Sequence, residues 1–235
     1  MVTQIMLGDI AADVVLKDIK NVYFRVYPPT GTVRISAPRR MDMDTVRELA
    51  RRKLDWIKRQ QAKVRQQPRE APRHYVRGES HYVWGERYAL TVAERDAAPS
   101  IELKPGLMLL GVRPGTDERR RRALTEKWYR EQIRNAVTPL LATWQPRMGV
   151  EVERVFVRRM KTKWGSCNYK ACTVRFNTEL ARKPPECLEY IVVHELVHLL
   201  EPSHNARFYT LMDRFMPNWR THREVLNRGR GTGPD

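Results

Sequence analysis

The sequence predicts an α+β protein: a strand-rich N-terminal region with one basic helix, then a helix-dominated region containing two short strands. Three observations support this. Apolar residues alternate with period two in short runs up to about residue 112. Helical spacing of apolar residues dominates after residue 117. Prolines and glycines separate the runs at the points where the period changes. The expected organisation is therefore residues 1–112, residues 113–227 and a polar tail, 228–235.

Asn21 to Ile35 reads as a hairpin. VYFRVY and TVRIS alternate, and Pro28-Pro29-Thr30-Gly31 supplies the turn. Met41 to Gln66 reads as one helix, with Val46, Leu49, Ala50, Leu54 and Ile57 at helical spacing and Asp42 as its N-cap. Arginine and lysine crowd its other face. Gln66 to Arg73 carries two prolines and reads as a linker. Short strands follow from Tyr75 to Leu110, with turns at Gly85 and Pro105-Gly106. Asp117 to Trp144 reads as a long helix striped by Leu124, Trp128, Ile133, Val137, Leu140, Leu141 and Trp144. The basic run Arg119–Arg122 near its start opposes the helix dipole, so solubility or a partner is the better reason for it.

Val152 to Met160 and Ala171 to Asn177 read as two strands joined through KTKWGSCNYK, which is rich in turn formers. Pro184-Pro185 opens the next helix. From Cys187 to Leu200 that helix is apolar nearly all round, so it must be buried on most sides. Pro202 stops it. Phe208, Leu211, Met212 and Phe215 mark an amphipathic helix ended by Pro217, and Arg228–Asp235 is expected to be disordered.

The chemistry gathers in HELVHLLEPSH, His194 to His204. Residues four apart share a helix face, so His194 and His198 can grip one metal ion. Glu195 stands beside the first ligand, within reach of a water on that metal. Zinc lowers the pKa of such a water from ~16 to about 7, and the acid can act as general base. The alternative is a buried helix that happens to carry histidines. Three ionisable groups in an apolar helix are costly without partners, and one metal ion partners all three. His204 leads as third ligand, leaving the fourth position open for catalysis. The His194–His198–His204 interval equals that of the metzincins, but Glu201 stands where those proteins use glycine. Glu201 and, further off, His222 are the other candidates.

Several motifs together carry a family resemblance: KWGSC at Lys163–Cys167, Phe176-Asn177, VVHELVHL on a proline-led helix, and SHNARFY at Ser203–Tyr209. LDWIKRQ at Leu54–Gln60 and the segment around Trp84-Gly85 belong with them. The chain resembles the YgjP-like zinc metallopeptidases, relatives of the SprT-like proteins, over nearly its whole length up to about Asn227. The resemblance implies a small zincin-like unit made of a long helix, a short antiparallel sheet, the metal helix and C-terminal helices. It implies one Zn2+ per chain on His194, His198 and His204, with Glu195 as the catalytic base and a peptide or protein as substrate. Trp164, Ser166 and Asn177 are candidates for the substrate cleft. Cys167 and Cys172 form at most a weak metal pair.

Two alternatives stand beside hydrolysis of a peptide. A metal-activated water could attack a phosphoanhydride, as in a nucleotide pyrophosphatase, although no glycine-rich phosphate loop is present. A nucleic-acid-binding protein with a structural zinc is the other, although such sites are usually closed by four ligands and rich in cysteine. The charge keeps nucleic acid in view: 44 Lys and Arg against 27 Asp and Glu leave a formal net charge of +17. Arg51, Arg52, Lys58 and Arg59, with Arg119, Arg120, Arg121 and Arg122, are the candidate contacts for weak, non-specific binding. No apolar run is long enough to span a bilayer, the N-terminus lacks a basic n-region, and the three cysteines are sparse. A cytoplasmic protein without a membrane anchor is expected.

Overall fold

The computed structural model describes residues 2–27, 30–66 and 73–227. These residues form two compact units, 2–66 and 73–227. Pro28 and Pro29 of the expected turn, most of the expected linker and the tail lie outside the described residues.

The first unit is a four-stranded sheet of β1 (Val2–Leu7), β2 (Ile10–Lys17), β3 (Tyr23–Tyr27) and β4 (Thr32–Pro38), in the order β1-β2-β4-β3. β3 and β4 are antiparallel, as the hairpin reading expects, while β2 and β4 run parallel. Alternation puts Ile5, Ala12, Val14, Val33 and Ile35 on one buried face, where Val46, Ala50 and Ile57 join them. Those last three come from two helices, α1 (Met43–Arg52) and α2 (Leu54–Gln66). Asp42 caps α1 by accepting the Thr45 N–H at 2.7 Å. The single helix expected over Met41–Gln66 is thus divided. A tightened turn at Lys53, whose N–H donates to the Ala50 carbonyl, re-aims the chain while Val46, Ala50 and Ile57 all stay buried.

The second unit begins with a sheet of β5 (Ser80–Val83), β6 (Glu86–Glu94), β7 (Ser100–Lys104) and β8 (Leu107–Val112), in the order β5-β6-β8-β7. The tight turn between β5 and β6 places both Trp84 and Gly85 at positive φ. α3 (Glu118–Met148) starts at the N-cap Asp117, ends at the left-handed Gly149, and buries Tyr129, Ile133, Val137, Leu141 and Trp144. A second sheet follows: β9 (Arg154–Arg158), β10 (Gly165–Asn168) and β11 (Thr173–Asn177). The expected pairing is corrected here. β9 and β11 are neighbours but parallel, and the GSCN segment read as part of a turn is itself a strand, antiparallel to β11 at the sheet edge. The 159–164 loop carries the chain back past β11, which makes both arrangements possible. α4 (Pro185–Leu200), α5 (Ala206–Phe215) and α6 (Trp219–Asn227) complete the unit. Among the described residues no helix is long and apolar enough to cross a membrane.

Candidate metal centre

α4 owes its place to its composition. Cys187, Leu188, Ile191, Val192, Val193, Leu196 and Val197 are all buried, so the helix is packed on most sides. Pro185 in its first turn costs no hydrogen bond, since that N–H would be unpaired anyway. The β5–β6 turn steadies this end of the helix. Trp84 N–H donates to the Ala181 carbonyl at 2.8 Å, and Gly85 lies so close to Pro184 that an added Cβ would sit 3.1 Å from its Cγ.

Two turns along, α4 presents His194 and His198 on one side. The helix ends at Glu201, and the following turn returns His204 to the same point. His204 Nε2 lies 3.2 Å from His194 Nε2 and 3.1 Å from His198 Nε2. Ligands about 2.0–2.1 Å from a tetrahedral metal would be about 3.3–3.4 Å apart, so the three nitrogens are spaced for one ion. His198 Nδ1 lies 3.2 Å from the Glu201 carbonyl, which takes that ring's N–H and leaves Nε2 free to ligate. The carboxylate of Glu201 is turned elsewhere and accepts the Ser203 N–H. His222 lies on α6, and its carbonyl accepts the Cys187 thiol.

The electrostatics fit a cation. Burial, then His198, His204 and the Arg223 guanidinium, hold His194 well below the usual imidazole range. His198 is lowered chiefly by burial, and His204 by burial followed by Arg223 and Lys163. All three therefore favour the neutral form that ligates. Burial also pushes Glu195 up to about 8, with Lys163 pulling the other way. Glu195 is 4 % exposed, and its Oε2 is buried without a hydrogen-bond partner. Three converging lone pairs beside an unpartnered acid oxygen are costly alone, and a cation carrying a water would satisfy both. Among the described residues, His194, His198 and His204 form the group of potential ligand side chains gathered at metal-binding distance.

The surroundings hold residues that sequence reading did not assign to the site. Gly165 of β10 lies against Glu195, where an added Cβ would collide with Oε1 and come within 2.8 Å of Cγ. A glycine inside a strand often marks such a close approach, but this stretch reads as a turn in the sequence, which hides the signal. Tyr190 meets His194 edge-on, Tyr209 lies parallel to His204, and Trp219 stacks on both tyrosines. Lys163 and Arg223 bring charge toward the histidines from different elements.

Of the three cleft candidates, Trp164 lies just before β10 and donates its indole N–H to Asn227 at 3.4 Å. Ser166 is half-buried on β10, opposite Arg175. Asn177 is buried and given over to the backbone. Its Nδ2 donates to the carbonyls of Met160 and Lys163, and its Oδ1 accepts from the N–H groups of Met160 and Glu179. It pins the loop that leads into β10. Cys167 and Cys172 are free thiols, and burial pushes Cys167 up to about 12. Arg51, Arg52, Lys58 and Arg59 are exposed on α1 and α2. On α3, Arg119 and Arg120 are exposed, Arg121 donates to the Thr116 carbonyl, and Arg122 pairs with Glu126 at 3.0 Å.

The second unit holds one more buried histidine. His81 is fully buried, with Nε2 2.9 Å from Glu79 Oε1. Glu79 Oε2 accepts the backbone N–H groups of His74 and Tyr75, each at 2.8 Å.

Side chains that bring lone pairs to one point, with an acid beside them, form a candidate metal site of the kind metallohydrolases use. The chain belongs to the YgjP-like family, whose metallopeptidase-domain model matches residues 20–229. None of the curated proteins matches it. Among solved structures it is similar to the metallopeptidase zymogen abylysin of Pyrococcus abyssi: 24% identity, TM-score 0.35, covering 39% of this chain and 90% of that one. Jannalysin of Methanocaldococcus jannaschii, also a metallopeptidase zymogen, is 23% identical with TM-score 0.33, covering 40% of this chain and 92% of that one.

Proposed function

We propose that this metallopeptidase is a zinc enzyme that cleaves peptide bonds with His194, His198 and His204 as ligands and Glu195 as general base. The observation that carries this reading is the buried, unpartnered Oε2 of Glu195 beside three converging imidazoles. Zinc held there supplies a Lewis acid that makes water nucleophilic near neutral pH. Glu195 takes the proton as the water oxygen adds to the carbonyl carbon and the π electron pair moves onto the carbonyl oxygen. It then returns the proton to the amide nitrogen as the C–N bond breaks. β10 is the edge strand that lies against Glu195, so an extended peptide adds to its free edge and places a scissile bond at the metal. Membership of a peptidase family favours this bond over a phosphoanhydride. An acid with an empty hydrogen-bonding position favours an open site over a structural zinc. Glu195→Gln should keep zinc and fold while losing ~10²–10⁴ in peptide hydrolysis. Activity within a few-fold of wild type, with zinc bound, would sink the assignment.

A second contact is proposed on the first unit. Arg51 and Arg59 are exposed and make no ion pair among the described residues, whereas Arg52 pairs with Glu48 and Lys58 lies 3.9 Å from Asp9. With the net charge of +17, this favours weak, sequence-independent binding of nucleic acid. Affinity should fall by roughly 0.7–0.9 log units per tenfold salt for each phosphate contact. No binding of labelled DNA at low salt would leave the charge as a solvated surface.

A further inference from the structure

We propose that the open face of the sheet in the first unit binds single-stranded RNA, with Tyr23 and Tyr27 stacking on bases and Arg25 and Arg34 meeting the phosphates between them. The inference is independent of the peptidase reading. It also goes beyond the contact proposed for Arg51 and Arg59, which stand on the helices, because it names a different surface and a single strand.

The surface follows from the strand register. Ile5, Val14 and Ile35 pack in one core with residues of α1 and α2, so the residues that alternate with them turn away from the helices. Phe24 and Val26 pack against that same core, which turns Tyr23, Arg25 and Tyr27 outward. Cross-strand pairing sets Gln4 beside Asp13, Asp13 beside Arg34, and Arg34 beside Arg25, one polar row across all four strands. Met6 and Tyr27 lie on one side of this row, and Val2 and Tyr23 on the other. Val2 and Met6 are 59 % and 63 % exposed, and Tyr23 and Tyr27 are 49 % and 36 % exposed. The face is therefore apolar and aromatic at its flanks and charged along its middle.

A single strand of nucleic acid has the matching pattern. Its bases offer flat faces that stack on aromatic rings whatever the sequence, and its phosphates run between them. A duplex hides those faces. Tyr23 and Tyr27 are four residues apart, about 13 Å along β3, so each takes its own base. Arg25 forms no ion pair among the described residues, and Arg34 lies 3.9 Å from Asp13 and 5.5 Å from the Tyr27 ring centre. Lys17, last on β2, alternates onto the same face, so three cations stand against one acid and favour a polyanion. Gln4, Asp13 and Thr32 continue into an open groove of about 570 Å³ that Lys58, Gln61 and Arg65 of α2 also line, which adds two cations to the path. Asp13 decides between RNA and DNA. A carboxylate repels phosphate but accepts hydrogen bonds, and the ribose 2′-OH is a donor that DNA lacks.

The test measures fluorescence anisotropy of labelled RNA of about twelve nucleotides with the full chain, beside the matching duplex and the DNA strand of the same sequence. Wild type should bind the RNA strand more tightly than either. Tyr23→Ala and Tyr27→Ala should each weaken that binding by roughly 5- to 150-fold, the loss of one stacked base, and leave duplex binding unchanged. Tyr23→Phe and Tyr27→Phe keep the ring and should bind within a few-fold of wild type. Arg25→Gln should lower the slope of log affinity against log salt by about 0.7, one phosphate contact. A chain carrying both Arg51→Gln and Arg59→Gln should still prefer the single strand, so failure of the helical contact leaves this one measurable. RNA binding unchanged in both alanine variants overturns the proposal, and so does equal binding of strand and duplex. DNA bound as tightly as RNA overturns the choice of RNA. Tyrosine-dependent binding of polyglutamate or of phosphatidylglycerol vesicles, with none of RNA, overturns it in favour of an acidic protein or a lipid surface.

Discussion

Two buried acid–histidine groups lie in the second unit and differ in where their polar atoms point. His81 and Glu79 face each other at 2.9 Å, and the other oxygen of Glu79 takes two backbone N–H groups. That pair is closed where the two side chains meet. The histidines around Glu195 bring three nitrogens to one point instead of pairing off, and Glu195 keeps a buried oxygen without a partner. That group is open. Burial of a histidine beside an acid occurs in both and so does not identify a site. Convergence on an unfilled point does, because an unfilled polar point inside a protein costs free energy unless something binds there.

The sharpest way to break the comparison is to disturb the open group without touching its functional atoms. Gly165→Ala puts a methyl group where Glu195 stands. Peptide hydrolysis should fall by at least ~10², the scale of a displaced general base, while zinc content stays near one per chain. Steady-state rates and elemental analysis of one preparation check this, and an unchanged rate would mean that Glu195 need not stand where Gly165 admits it.

The closed group should fail in the opposite sense. His81→Ala leaves a buried acid with a lost partner and should cost roughly 1–3 kcal/mol of stability. Thermal unfolding should show a lower Tm, with zinc content and kcat unchanged. A loss of activity in a stably folded variant would place His81 in the catalytic apparatus and erase the distinction.

A pH dependence bears on the open group alone. In the metal-free protein burial pushes Glu195 up to about 8 from an ordinary value of 4.5. A raised carboxyl contributes stability below its unfolded value and loses it as pH rises through the folded value. Metal-free wild type should therefore lose stability relative to metal-free Glu195→Gln between about pH 4.5 and 8. The histidines act the other way, being lowered and thus costing stability in acid, but they are common to both proteins and cancel in the difference. Parallel Tm curves for the two proteins across that range would show that Glu195 is not the titrating group.

The shared face of His194 and His198 was legible because helical periodicity is local. The burial of α4 was legible for the same reason, from its composition alone. The α+β class and the β3–β4 hairpin also followed from local patterns. What could not be read depends on contacts between distant segments. Strands over Val152–Met160 and Ala171–Asn177 were visible, but their parallel order is set by the loop between them. β10 was taken for a turn because Gly165, Ser166 and Asn168 have weak strand propensity, and pairing with β11 overrides that. The break at Lys53 carries no glycine or proline to announce it. Asn177 was a candidate for the substrate cleft, yet its side chain is given to the backbone around the loop entering β10. Gly165 lies against Glu195, 30 positions away, and no periodic pattern reports such a contact.

The parallel placement of β9 also bears on how the protein behaves in concentrated solution. β9 is the outer strand of its sheet opposite β10, and it reads RVFVR. Val155 and Phe156 are 38 % and 41 % exposed there. An apolar outer strand with free backbone groups is a template on which a second molecule can stack. Arg154 and Arg158 bracket the apolar triplet, and the Arg175 guanidinium lies 5.4 Å from the Phe156 ring. Two copies meeting edge to edge would bring these cations together, so part of the molecule's positive charge acts as a guard against self-association.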